Sequence, residues 1–326
     1  MSLPISFIVD DPAPLVNVYW WHVAARSADG TAVLKSGEPV VRDVPVDFIR
    51  RFADVVERHG LRGKFSVLPV PAALGPITEG WPGCDRRGLQ DWLSVARERI
   101  APQFDITPEI LTHARAVDLD TMDPLDENER DWASHQTHET LTPYIAKALQ
   151  ILKEAGLEAT GVTSPWDFGR EVEPDYRIAI RTAMKEVNGR DRAWYFLHTD
   201  TRTVEPRSEV VWRDGDAWLV SLWSRCDDYL WNTMETARTD DACVRSVADR
   251  FLTDDGAGGR LAELLQAGEP IVFHSHWQSL FSNGRETGLR ILDEVGRRIR
   301  QAWGDRVTWL KCSDLAARIA AGSPRR

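Results

Sequence analysis

The stretch Ile5-Ser-Phe-Ile-Val9, followed at once by Asp10-Asp11-Pro12, guides the interpretation of the whole chain. The mostly apolar residues predict a buried strand, and Pro12 predicts its end. Adjacent carboxylates on a regular strand point to opposite faces, but past a strand end both can face one pocket. Two close carboxylates repel each other unless a cation lies nearby. We therefore interpret them as a general base beside a metal ligand, with a simple turn cap before Pro12 as the alternative.

Strands alternate with amphipathic helices along the chain. A helix is predicted over residues 46–59 with Gly60 as its stop signal, and another is predicted to begin with Thr142 as its cap and Pro143 in its first turn. The turn signal Asp214-Gly215 predicts a β-hairpin insertion around residues 209–223. Further strands are expected at 64–70, 109–113, 159–164, 193–198, 271–274 and 307–311. This order predicts an α/β fold of mostly parallel strands that close, or nearly close, into a barrel with its chemistry at the carboxyl ends of the strands.

Composition narrows the class of partner. The 326 residues carry a formal net charge of -10, which argues against nucleic acid or an anionic membrane as the main partner. The four cysteines are scattered without a CxxC pair, so we expect reduced thiols. The N-terminal apolar run is too short for a signal peptide, so we expect a cytoplasmic protein with a single domain over residues 1–326. Oligomerisation stays open.

Several histidines gather at or near predicted strand ends. They are His113, His274, His276 and the pair His135 and His138, which precedes a helix. A carboxylate with two imidazoles is the usual ligand set of a zinc ion that keeps positions open for water and substrate. The sequence therefore predicts a divalent metal, with zinc as the expected ion, in the pocket that Asp10 and Asp11 mark.

The order of these motifs resembles that of the polysaccharide deacetylases, carbohydrate esterase family four. The resemblance implies a distorted (β/α)7 barrel and a metal-dependent hydrolase that removes an acetyl group from a carbohydrate or glycoconjugate. Phe7-Ile-Val-Asp-Asp11 resembles the first motif, which implies that Asp10 is the general base and Asp11 a metal ligand. Glu109-Ile-Leu-Thr-His113 resembles the strand that delivers the first metal histidine, and His135-Gln-Thr-His138 resembles the second motif, which completes the metal set.

The later motifs of the family also have counterparts. Thr163-Ser-Pro-Trp166 lies where the family has its Arg-x-Pro wall, so Thr163 replaces the cation that would orient Asp10. Val272-Phe-His274 resembles the strand that carries the catalytic acid, and His276 on the same face makes either histidine a candidate for that role. The metal histidines also depart from the family, because His113 is far in sequence from the pair His135 and His138.

Aromatic side chains are the candidates for sugar contacts. The chain has 14 tryptophans, and indole rings combine a large apolar face with a polar handle that suits a sugar. Trp20, Trp21, Trp166 and Trp277 are the candidates for a substrate-binding wall, with core packing as the alternative for each.

Two other functions fit the same sequence. A glycoside hydrolase would need a pair of carboxylates flanking the bond, with Asp10 or Asp11 opposite Asp200, Asp227 or Asp228. A catalytically degenerate barrel would bind a saccharide without turning it over. The absence of a bound ion, with activity that survives a chelator, would favour the glycoside hydrolase. Tight sugar binding without any product would favour the degenerate barrel.

Overall fold

A computed structural model describes residues 2–17, 23–26 and 32–322 of the chain. These ranges contain strands and α-helices that alternate along most of the sequence. The strands are β1 (Leu3–Asp10), β2 (Val23–Arg26), β3 (Ala32–Leu34), β4 (Gly63–Val67), β5 (Phe104–Pro108), β6 (Arg115–Val117), β7 (Pro124–Asn128), β8 (Val162–Thr163), β9 (Arg192–Thr199), β10 (Glu209–Asp214), β11 (Ala217–Ser224), β12 (Ile271–His276) and β13 (Val307–Trp309). The helices are α1 (Val46–His59), α2 (Arg86–Val95), α3 (Glu129–Ala133), α4 (His138–Glu154), α5 (Glu173–Asn188), α6 (Asp241–Phe251), α7 (Arg260–Ala267), α8 (Trp277–Phe281), α9 (Thr287–Ala302) and α10 (Cys312–Gly322).

Two mainly parallel sheets form the centre of the fold. The first has the order β12-β1-β4-β5, with β13 also paired to β1, and the second has the order β10-β11-β9-β8. Within these two sheets β10 is the antiparallel strand. The register places Asp10 beside His276 on β12 and Ile8 beside Lys64 on β4. Parallel strands bring their carboxyl ends to one side, so Asp10 and His276 lie at the same end of the first sheet.

The predicted distorted (β/α)7 barrel is not confirmed. The two sheets are connected through isolated parallel bridges, Glu109 with Thr163 and Cys226 with Phe273, and no continuous ladder joins them in the described ranges. The α/β class and the parallel central strands are confirmed. The predicted hairpin is present as β10 and β11, whose turn pairs Asp214 with Ala217.

Helices cover the sheets with apolar faces. Helix α1 buries Phe48, Phe52 and Val56 and ends at Gly60, whose left-handed φ of 63° suits a residue without a Cβ atom. Helix α10 lies toward the amino-terminal side of the strands, where Ser313 donates to Asp105 near the start of β5. The opposite side, where the carboxyl ends of the strands lie, is the side that holds the candidate site.

Two elements differ from the sequence prediction. Residues 109–113 are not a strand: β5 ends at Pro108, and Ile110 and His113 have left-handed φ values of 39° and 49°. Helix α4 begins at His138 rather than after Thr142, because Thr137 and Thr140 exchange side-chain to backbone hydrogen bonds that cap its first turn. Among the described helices, none combines the length and the apolar character that a membrane crossing requires.

Candidate active site

A cavity of about 600 Å³ opens at the carboxyl ends of the central strands. Its lining residues that carry titratable or aromatic side chains include Asp10, Glu109, His113, Trp166, Trp231, His274 and His276. We call Asp10, Asp11, Glu109 and His113 the acidic wall. We call His274 and His276, together with their partner Asp228, the histidine wall.

Asp11 reaches the acidic wall through a left-handed backbone turn. Its φ is 68°, and its backbone N–H donates to Glu109 Oε2 over 2.7 Å. Its Oδ1 lies 2.5 Å from His113 Nδ1. Burial on its own would raise the pKa of Asp11, but the charge and the hydrogen bond of His113 outweigh it and lower that pKa to about 2. Asp11 is therefore a carboxylate at neutral pH.

Glu109 and His113 are fixed by a turn that a second buried glutamate holds. Glu129, which is fully buried, accepts hydrogen bonds from the backbone N–H groups of Thr112 (2.8 Å) and His113 (2.7 Å). Asn17 donates to the carbonyl of His113 over 2.8 Å.

Burial and the charges of Asp11 and Asp10 raise the pKa of Glu109 well above its ordinary value. A buried group with this shift is a place where a cation would be stabilised.

The acidic wall fits a divalent metal by its own chemistry. Asp11, Glu109 and His113 each offer one ligand atom, and these atoms lie within 4.8 Å of one another. Asp11 Oδ2 is buried and has no partner at normal hydrogen-bond geometry, although the Gln278 side chain is near enough to lower the pKa of Asp11, so this oxygen could bind a cation. Two carboxylates and one imidazole suit zinc and also harder ions such as manganese. The sequence prediction missed Glu109, because it treated this residue as the start of a strand over 109–113 and not as the residue after the strand that ends at Pro108.

His135 and His138 are not brought to this group, which corrects the predicted ligand set. His135 is exposed and lies 3.4 Å from Glu127 through its Nε2 atom. His138 is at the start of α4, and its Nδ1 atom lies 2.9 Å from Asp175 Oδ1. Both imidazoles therefore pair with surface carboxylates of nearby elements. The third side chain near Asp11 and His113 is Glu109, where the sequence predicted a second histidine.

Asp10 is held by a buried cation that the sequence analysis did not identify. Lys64 Nζ donates to Asp10 Oδ1 over 2.5 Å, and Ser66 Oγ donates to the same oxygen over 3.3 Å. The lysine also donates to Thr163 Oγ1 over 2.8 Å. Asp10 therefore has a buried cation beside it, although Thr163 supplies none. The signal in the sequence was a lysine inside the strand Gly63-Lys-Phe-Ser-Val67.

The two histidines of the histidine wall have different partners. His276 Nδ1 lies 2.8 Å from Asp228 Oδ2, and His274 Nδ1 lies 2.8 Å from Ser224 Oγ. Burial on its own would lower the pKa of His276, but Asp228 outweighs it and raises that pKa to about 9. Burial and the neighbouring His276 lower the pKa of His274. At neutral pH His276 is thus the protonated imidazole, and His274 is the neutral one.

The predicted aromatic residues are in three different situations. Trp166 lines the cavity, and its ring meets that of His113 edge to face at a centroid distance of 4.3 Å. Trp277 is a core residue and not a sugar contact, because it is 1% exposed and packs edge to face on Phe48 at 4.7 Å.

Trp20 and Trp21 lie outside the described residues. Trp231, which the sequence analysis did not select, also lines the cavity and contacts the ring of His276.

The carboxylates proposed for a glycoside hydrolase do not form a free pair across the cavity. Asp228 is buried and accepts hydrogen bonds from Ser275 (3.0 Å) and Ser279 (3.1 Å) as well as contacting His276. Asp200 lies within ion-pair distance of Arg202 and Arg207, at 3.7 Å and 3.6 Å. Asp227 is exposed and does not line the cavity.

Comparison with known proteins supports the fold alone. No family model matches the chain, and no curated protein matches it. Among solved structures, a protein from Mycobacterium smegmatis assigned as a polysaccharide deacetylase is similar with a TM-score of 0.51 at 14% identity, covering 86% of this chain and 79% of that one. A 4-alpha-glucanotransferase from Thermococcus litoralis matches with a TM-score of 0.45 at 14% identity over 100% of this chain and 41% of its own. A mutant of a CE4 family pseudoenzyme matches with a TM-score of 0.38 at 8% identity over 97% and 67%. The first similarity indicates a deacetylase-like fold, and the other two superpose too loosely to support an argument.

Proposed function

We propose that this chain is a metal-dependent hydrolase that removes an acyl group, expected to be acetyl, from a carbohydrate or glycoconjugate. The observation that carries the proposal is the cavity itself: a buried group of two carboxylates and an imidazole lies beside a held carboxylate, Asp10, and near a protonated imidazole, His276. The deacetylase-like fold supports the carbohydrate class of substrate. The bond broken would be an amide C–N bond or an ester bond.

Asp11, Glu109 and His113 would hold the metal, for which zinc is the expected ion and manganese is compatible. A divalent ion at this position supplies Lewis acidity and lowers the pKa of a coordinated water molecule. The three residues come from two segments that hydrogen-bond to each other, Asp11 to Glu109 and Asp11 to His113. This mutual support keeps the ligand atoms close together before any ion binds.

Asp10 is the proposed general base. Its Oδ1 atom accepts hydrogen bonds from Lys64 and Ser66, so Oδ2 is the oxygen that remains to take the proton of the attacking water. Asp10 is one of the residues that line the cavity, where a substrate would bind. A positioned base of this kind contributes about 10²–10⁴ to a hydrolysis rate.

His276 is the proposed general acid. Asp228 binds its Nδ1 atom, which leaves Nε2 as the nitrogen that donates a proton to the leaving amine or alcohol. The Asp228 carboxylate keeps the imidazole charged at neutral pH. His274, which is neutral and bonded to Ser224, is better suited to bind the substrate than to protonate it.

The test is the release of acetate from two substrates, an N-acetylglucosamine tetramer and an O-acetylated xylan oligomer. The proposal predicts release from at least one of them, loss of release with a chelator, and recovery when Zn²⁺ or Mn²⁺ is returned. Asp10→Asn should lower the rate of release about 1,000-fold, whereas His135→Ala should match the wild type, because His135 lies outside the cavity.

Other results would favour the alternatives. Cleavage of the glycosidic bond that survives the chelator would favour a glycoside hydrolase. Tight binding of both oligomers without any product would favour a saccharide-binding protein. The cytoplasmic location remains a prediction from the sequence.

A further inference from the structure

Lys64 is an unusual residue for the centre of a sheet. It lies on β4, and its side chain is 0% exposed. A buried ammonium group is costly unless hydrogen bonds and an opposite charge compensate for the lost hydration. A lysine at this position therefore needs a specific partner.

The register explains how Lys64 reaches Asp10. On β4, Lys64 is level with Ile8 of β1 and with Asp105 of β5. Ile8 and Asp10 are two residues apart on one strand, so their side chains lie on the same face. The long lysine side chain rises from the level of Ile8 to that of Asp10, where its Nζ atom meets Oδ1 at 2.5 Å.

The remaining surroundings of the ammonium group fix its position. Thr163 Oγ1 accepts a hydrogen bond from it over 2.8 Å and is itself within 2.9 Å of Ser66 Oγ and of Thr107 Oγ1. The ring of Phe196 lies 4.5 Å from Nζ, at a distance suited to a cation–π contact. A carboxylate, a hydroxyl group and an aromatic face thus surround the cation on several sides.

We propose that Lys64 is the positioning residue of Asp10, and that it supplies from β4 the cation that the family resemblance places in the wall segment around Thr163. It is not a catalytic residue, because it does not line the cavity. Its ammonium group donates a hydrogen bond to Oδ1 of Asp10. The other oxygen, Oδ2, is thereby left to face the attacking water of the proposed reaction. This inference rests on the proposed function, since it assumes that Asp10 acts as the base.

The first experiment is a double-mutant cycle on acetate release with Asp10→Asn, Lys64→Met and the double variant. It uses whichever of the two acetylated oligomers the wild-type protein hydrolyses. We expect Asp10→Asn to lower kcat about 1,000-fold and Lys64→Met to lower it about 100-fold, with KM and metal content unchanged. The double variant should match Asp10→Asn within about threefold, because a residue that acts only through Asp10 has nothing left to act on.

A product of the two losses in the double variant, or a wild-type kcat in Lys64→Met, would overturn the proposal. A wild-type kcat in Asp10→Asn would instead overturn the assignment of Asp10 as the base. The two failures are therefore distinguishable.

A matched pair of variants covers the case in which Lys64→Met does not fold. Lys64→Arg with Thr163→Ser keeps the charge and makes room for the larger head group, whereas Lys64→Gln with Thr163→Ser makes the same room without the charge. We expect the first to retain at least about a tenth of the wild-type kcat and the second to lose about 100-fold. Equal kcat values in the two would contradict a role for the cation.

A readout independent of turnover is the orientation of Asp10 in crystal structures of the same pair. With arginine at position 64 the carboxylate should keep its Oδ1 on the cation, and with glutamine it should rotate. An unchanged carboxylate in the glutamine variant would show that Lys64 does not position Asp10, whether or not either oligomer is a substrate.

Discussion

Two residues of the acidic wall, Asp11 and His113, lie on a different kind of backbone from the two histidines of the histidine wall. Asp11 and His113 follow strand ends and have left-handed φ values of 68° and 49°, whereas His274 and His276 are alternate residues of the regular strand β12. Turns of that kind persist only where buried contacts hold them, and Glu129 provides those contacts for His113. A strand instead places alternate side chains on one face without further support. The acidic wall should therefore depend more strongly on residues behind it than the histidine wall does.

The largest expected effect distinguishes the two histidines of the histidine wall. His276→Ala should lower kcat for acetate release about 1,000-fold, because it removes the charged imidazole that Asp228 holds. His274→Ala should lower kcat by about tenfold or less and act mainly on KM. Steady-state kinetics of both variants on one oligomer measure the difference. The reverse order would make His274 the acid and would undo the assignment of roles.

The next effect tests whether the acidic wall depends on its support. Glu129→Gln should weaken metal affinity by about 10- to 100-fold, since an amide cannot replace a carboxylate that accepts from the backbone of Thr112 and His113. Asp228→Asn is the matched control in the histidine wall and should keep metal affinity. Competition with a chromogenic chelator measures both. Equal affinities in the two variants would mean that the turn forms without Glu129.

A third effect distinguishes two tryptophans that sequence analysis treated alike. Trp277→Ala should lower the free energy of unfolding by about 3–5 kcal/mol, because the ring packs among Phe48, Phe52 and Phe65. Trp166→Ala should leave stability nearly unchanged and raise KM about tenfold through the loss of a cavity face. Urea unfolding and steady-state kinetics measure the two quantities. A stable Trp277→Ala with a raised KM would return that residue to the substrate wall.

A fourth effect is a dependence of stability on pH. The pKa of His276 is raised to about 9 in the folded protein from an ordinary value of 6.5, so its contribution is fully present below about pH 6.5 and is lost as the pH rises through about 9. The gap in unfolding free energy between the wild type and Asp228→Asn should therefore shrink over this window, by up to about 3 kcal/mol. Urea unfolding at three pH values in the presence of a chelator measures it. A constant gap would show that the pair is not charged in the way we describe.

The sequence allowed the histidine wall to be predicted better than the acidic wall, and the backbone explains why. His274 and His276 lie in the regular strand β12, which apolar periodicity predicts. In the acidic wall only Asp10 lies in a regular strand, as the last residue of β1, and Asp11 follows it at a left-handed φ of 68°. Residues 109–113 were predicted as a strand because they are apolar, yet they form a turn that depends on Glu129, which follows in a different element. No local pattern contains that contact. His135 and His138 were predicted as ligands because their segment resembles a family motif that precedes a helix, yet their partners are surface carboxylates.

The partner of Lys64 could not be predicted from the sequence. A lysine in a short apolar strand indicates that something must balance its charge. Its partner became identifiable only when the pairing of β4 with β1 was known, because the order of strands in a sheet does not follow their order in the chain. The sequence pattern around Thr163 contains no cation, and the cation that contacts Asp10 comes from another strand.

Whether Asp11, Glu109 and His113 bind a metal can be tested through the metal content of the purified protein. Elemental analysis would follow loading with Zn²⁺ or Mn²⁺ and gel filtration. The wild type and His138→Ala should each retain about one ion per chain, and Glu109→Ala should retain almost none, because Glu109 and not His138 lies with Asp11 and His113. An ion-free wild type, or an ion that is lost in His138→Ala and kept in Glu109→Ala, would contradict the account.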